Sequence, residues 1–108
     1  MKILFDQGTP APLRRYLPDH DITTAFERGW HTLQNGDLLS AAETEGFAAI
    51  VTTDKNLRHQ QNLADRRLAI VVLMTTDWRL IARYTDYVAG AIGALAVGAY
   101  VELPFPPA

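Results

Sequence analysis

The chain contains no cysteine, which excludes disulfides, thiolate metal sites and a cysteine nucleophile and leaves the redox compartment undetermined. Neither sign of charge dominates: ten Lys and Arg against twelve Asp and Glu leave a formal net charge of −2. No global positive field draws in nucleic acid, so such binding needs a local basic patch or a cation that offsets acidic groups. Long apolar runs are missing too. The longest uncharged apolar run covers residues 88–101, short of the ~20 residues a membrane span requires. Ahead of Asp6 stand only Met1, Lys2 and three apolar residues, too little for the apolar core of a signal peptide, which leads us to expect a cytoplasmic protein without membrane contact. Ser40 is the single serine and has no nucleophile-elbow context. Walker and dinucleotide glycine patterns are absent, and His20, His31 and His59 show no ligand spacing.

What is present is an alternation of strand and helix signals. Apolar or β-branched runs at residues 2–5, 21–26, 48–53, 68–74 and 100–103 read as strands. Residues 68–74 are seven apolar residues without alternation, as expected of a central parallel strand buried on both faces. Helices are expected at 11–17, at 38–45 opening on Asp37, at 57–64 and, as one long helix, at 80–97. Such alternation in 108 residues implies one domain, an α/β fold with helices on both faces of a five-stranded, mostly parallel sheet. Gly90, Ala94 and Gly98 recur every four residues. On a long helix they would form a smooth stripe, for packing on the sheet or for a homodimer contact.

Three acids fall at comparable places. Asp6 ends the first strand, Asp54 follows the third, and Asp37 opens the helix after the second. In a parallel α/β sheet the ligand site lies outside the carboxyl ends of the strands. Each acid has an ordinary local use in a turn or helix cap, which does not prevent it from also facing a site. Convergence to ~4 Å would make each carboxylate pair repel by ~4 kcal/mol at an effective dielectric of 20, so a cation or proton would be needed. Hard oxygen donors without His or Cys select Mg²⁺ or Mn²⁺.

Ile3-Leu4-Phe5-Asp6-Gln7, Gly36-Asp37-Leu38-Leu39 with Ala41-Ala42, and Ile50-Val51-Thr52-Thr53-Asp54-Lys55-Asn56-Leu57 resemble the signatures of small PIN-like proteins, relatives of the PIN-domain ribonucleases and VapC-type toxins. The resemblance spans roughly residues 1–75, with Thr52-x-Asp54 after a buried strand its most specific part. It implies a three-layer α/β/α PIN-like fold and a Mg²⁺- or Mn²⁺-dependent endoribonuclease site built from Asp6, Asp37 and Asp54, with Thr52 ordering it. It also implies an RNA substrate and a small DNA-binding antitoxin as partner. The pattern departs from the family where a further acid is common: Gln7 and Asn56 stand there, neutral and weaker as ligands, with Glu43 and Glu45 as substitutes on the helix.

Basic residues follow both acidic positions: Arg14 and Arg15 after Asp6, and Lys55, Arg58 and His59 after Asp54. They are candidate RNA-phosphate contacts, or simply solvated helix faces. Trp30 and His31, in the loop before Asp37, are candidates for stacking an unpaired base, with Trp30 as a core anchor the alternative. Two other functions fit the same elements: a PIN-like binding module without catalysis, and a receiver domain phosphorylated on Asp54. Thr75 suits the receiver, but no Lys follows the last strand.

Overall fold

Every strand expected from the sequence forms: β1 (Lys2–Phe5), β2 (Asp21–Thr24), β3 (Ala49–Thr52), β4 (Ala69–Leu73) and β5 (Tyr100–Leu103). The structure is a computed structural model and describes residues 1–60 and 62–107. The strands pair in the order β2-β1-β3-β4-β5, and all four pairings are parallel. The result is the expected three-layer α/β/α arrangement. The chain leaves β1 toward one edge to make β2, then returns to the other side of β1 to make β3. The strand order therefore reverses between β1 and β3, where a doubly wound sheet opens a crevice at its carboxyl edge.

Alternation along the strands divides the core into two layers. Ile3, Phe5, Val51, Val71 and Leu73 face Leu13, Ile81, Val88 and Ile92. These belong to a 3-10 helix (Ala11–Tyr16) and to α3 (Trp78–Ile81) and α4 (Thr85–Gly93). Leu4, Ile50, Ile70 and Val72 face Leu38, Leu39, Ala42 and Leu57 on the opposite side, carried by α1 (Asn35–Thr44) and α2 (Leu57–Gln60). Full burial of each of these side chains larger than alanine contributes about 1.5–3 kcal/mol. The inner strands are covered on both faces, which is why their sequences read as unbroken apolar runs.

Three helices differ from expectation. α1 begins at Asn35, two residues before Asp37, so Asp37 sits in the first turn rather than at the cap. The pair Asn35-Gly36, expected in the loop before Asp37, is drawn into the helix, where the Asn35 amide reaches Asp54. In the helix expected at 57–64, residue 61 lies outside the described residues, and α2 ends at Gln60. The helix expected at 80–97 is broken into α3, a 3-10 turn (Ala82–Tyr84) and α4, which stops at Gly93. Asp77 starts α3 by accepting a hydrogen bond from the Arg79 amide.

The stripe of Gly90, Ala94 and Gly98 is not formed, because Gly98 lies off the helix with φ +73°. Its amide donates to Arg67 O at 2.9 Å. A Cβ there would stand 2.7 Å from Arg66 O, so close backbone contact and a left-handed turn both require the glycine. The basis for a homodimer contact along that stripe is thereby removed. Among the described residues no helix is long and apolar enough to cross a membrane.

Candidate functional site

Thr52 occupies a position in β3 whose neighbours on the same face are Leu4, Ile50 and Val72, yet it carries a hydroxyl and is 1% exposed. A buried hydroxyl without partners would be costly, and this one has two. It donates to Asp6 Oδ2 at 2.8 Å and accepts from the Asp54 amide at 3.1 Å. One side chain therefore ties the residue that ends β1 to the segment that leaves β3, across the point where the strand order reverses.

The exit of β1 is fastened to β3 in further ways. Val51 O accepts from the Asp6 amide at 2.9 Å and from the buried Thr9 hydroxyl at 2.7 Å. The Thr9 amide closes the turn onto Asp6 O. Gly8 lets that turn lie against β3, since a Cβ at this position would be 2.5 Å from Thr53 Oγ1. The carboxylates are held in matching fashion. Asp6 Oδ1 accepts from the Gln7 amide at 2.7 Å, and Asp54 Oδ1 accepts from the Asn56 amide at 3.0 Å. Asn35 Nδ2 donates to Asp54 Oδ2 at 2.9 Å, which brings the start of α1 to the same place. Among the described residues each of the four carboxylate oxygens accepts a hydrogen bond.

Of the residues singled out in the sequence, Asp6, Thr52 and Asp54 form one connected group. Asp37 is exposed on the first turn of α1, where its charge complements the helix dipole. Among the described residues no three of His, Asp and Glu stand together so as to hold a metal ion. Gln7 and Asn56 contribute their backbone amides to the two carboxylates. Glu43 and Glu45 are turned to other work, pairing with Arg66 and Arg28.

The basic candidates divide as well. Arg14 is bound by both carboxylate oxygens of Glu27. That contact, with the Thr24 amide, holds the Glu27 carboxyl well down, at about 2. Arg58 Nε lies 3.8 Å from Glu102 Oε2. Arg15, Lys55 and His59 are exposed. Trp30 is an anchor: it packs on the α1/α2 layer, edge-on to Phe47, with the Arg28 guanidinium 4.6 Å from its ring centre.

Sequence reasoning passed over Asn35 and Glu102. Glu102 shares a rung with Val72, and Val72 with Thr52, so all three lie on the α1/α2 face. Tyr100 donates to Glu102 Oε2 at 2.9 Å. Burial, and then this carboxylate, push the Tyr100 phenol up to about 12. The signal available was the i, i+2 spacing of Tyr100 and Glu102 in a strand, which puts both on one face. Asn35 had no signal beyond its place before Gly36-Asp37.

No family model, curated protein or solved structure matches this chain.

Proposed function

We propose that this chain is a PIN-like endoribonuclease dependent on Mg²⁺ or Mn²⁺. In this reading it is the toxin of a two-gene pair, working in the cytoplasm with a small DNA-binding antitoxin as partner. The observation that carries the reading is the Asp6–Thr52–Asp54 bridge at the strand-order reversal. The donor set suits a hard divalent cation. It is all oxygen, it is rigidly held, and Mg²⁺ characteristically takes one or two carboxylates and retains waters. Asp6 and Asp54 would hold the ion; Asp37, exposed on the first turn of α1, stands outside this pair. A bound cation of this kind supplies charge neutralisation at a phosphodiester and acidifies a water.

The chain's own residues do the positioning. Thr52 keeps the two strand exits at a set separation, the Gln7 and Asn56 amides orient the carboxylates, and Asn35 ties α1 to Asp54. Arg15, Lys55, Arg58 and His59 are exposed basic groups that would be offered to RNA phosphates.

A second reading, a binding module without catalysis, is favoured by one feature. Among the described residues the side chain of Asp54 accepts from neutral groups, the Asn35 amide and the Asn56 backbone, as a purely structural turn residue would. Incubating single-stranded RNA with the protein separates the two. Cleavage should require Mg²⁺ or Mn²⁺ and cease with a chelator. Asp54→Asn should lose more than the about 10–100-fold typical of outer-shell changes. Cleavage unaffected by Asp54→Asn would defeat the mechanism, and absence of cleavage by the wild type would leave the binding module.

A further inference from the structure

The loop that leaves β2 presents an aromatic surface. Phe26 is 68% exposed, forgoing the burial that a phenylalanine usually obtains. Its ring packs at a tilt against exposed His31, with centroids 5.2 Å apart and planes 39° from parallel. The sequence pointed to Trp30 beside His31 for this role. The fold turns Trp30 inward onto Phe47 and leaves Phe26 as His31's outward partner.

The placement is specific. Phe5 is in register with Thr24, and the Ala25 amide donates to Phe5 O at 2.8 Å, so Ala25 is level with Asp6 across the β1–β2 pairing. Phe26 is the next residue, which puts its backbone within about 10 Å of Asp6 by strand spacing. The turn carrying it is clamped. Thr24 and Glu27 exchange hydrogen bonds, as in a capping box: the Thr24 amide donates to the Glu27 carboxylate at 2.9 Å, and the Glu27 amide donates to the Thr24 hydroxyl at 3.1 Å. Arg14 then locks Glu27 from the 3-10 helix that follows β1. The ring therefore sits on a prearranged support at the carboxyl edge of the sheet.

We propose that Phe26 and His31 form a stacking platform for one unpaired base of single-stranded RNA, beside the phosphodiester held at Asp6 and Asp54. The inference rests on the ribonuclease reading of that site. An unpaired base has a free π-face that a duplex base lacks, so the platform selects single strands without reading sequence. Arg14, spent on Glu27, acts through the loop and not on RNA.

The test is binding of fluorescently labelled RNA to the Asp54→Asn protein, which leaves the strand intact, measured by anisotropy over a range of salt. Phe26→Ala in that background should weaken single-strand binding by about 5- to 150-fold, the range for losing one stacked base. The salt dependence should be unchanged, since no phosphate contact is removed. Phe26→Trp should restore affinity, and duplex RNA should be indifferent to either change. Equal affinity of the Ala and Phe proteins for single strands would overturn the platform and leave Phe26 for a protein partner. Equal weakening for duplex would overturn it as well. If the wild type cleaves no RNA while Phe26 still governs single-strand binding, the nuclease reading falls and the platform stands. Cleavage with a KM indifferent to Phe26→Ala gives the converse.

Discussion

Replacing Thr52 by valine tests the centre of the argument, because it changes almost nothing except the hydroxyl. Valine has nearly the same shape and suits a strand, so no cavity opens. What is lost is a hydrogen bond to a carboxylate, Thr52 to Asp6, and the acceptor for the Asp54 amide. A hydrogen bond to a charged group contributes about 1.5–3 kcal/mol, and an orphaned buried donor adds to the loss. Water reaches the half-buried Asp6 and Asp54, and the added methyl gains about 0.8 kcal/mol in this apolar layer. The net expectation is destabilisation by about 1–3 kcal/mol, read in urea as a lower midpoint with unchanged slope. For a chain of this size that is a fall in Tm of roughly 5–15 °C. Stability alone does not identify the bridge, so the decisive measurement is a double-mutant cycle with Asp6→Ala. If the hydroxyl holds Asp6, the two changes should be non-additive by at least about 0.5 kcal/mol. Additive effects, or a Thr52→Val protein as stable as the wild type, would refute the bridge and the site built on it.

Two further outcomes concern glycines away from the site, one before β5 and one inside α4. Gly98→Ala should destabilise by about 1–3 kcal/mol, because φ +73° and Arg66 O at 2.7 Å both oppose a side chain. Gly90→Ala, inside α4 with open space around it, should instead stabilise by about 0.5–1 kcal/mol in the same thermal melt. The clamp under Phe26 carries a pH signature. The Glu27 carboxyl is lowered from 4.5 to about 2, chiefly by its hydrogen bond with Arg14. A lowered folded value means its contribution is complete above about 4.5 and lost as pH falls toward about 2. Carboxyl NMR should show Glu27 titrating near the bottom of that window, with the Thr24 amide shifting alongside. Arg14→Gln should move the transition up toward the ordinary glutamate range.

The positions of the strands and the acids after β1 and β3 were legible from local chemistry. Runs such as residues 68–74 allow only a strand buried on both faces, and strand exits are where a chain changes direction. Helix ends were harder to read. The break of the expected 80–97 helix into α3 and α4, and the start of α1 at Asn35 rather than Asp37, depend on partners far away in sequence. One such partner is Arg67, whose carbonyl accepts from the Gly98 amide. Another is Asp54, which accepts from Asn35.

The sequence by itself determined the class of fold, because the period of its apolar residues leaves few ways to bury them. It also put Asp6, Asp37 and Asp54 at one carboxyl edge, with Thr52 added by the resemblance to PIN-like proteins. Tertiary structure alone decided which groups meet. It joined Asp6 to Asp54 through Thr52, kept Asp37 exposed on α1, and set Arg14 on Glu27. It also exchanged the roles of two aromatic residues, turning Trp30 inward and Phe26 outward. Side-chain period is a local property and can be read along the chain. Contact between residues dozens of positions apart is set by strand order and register, which exist only once the sheet has closed.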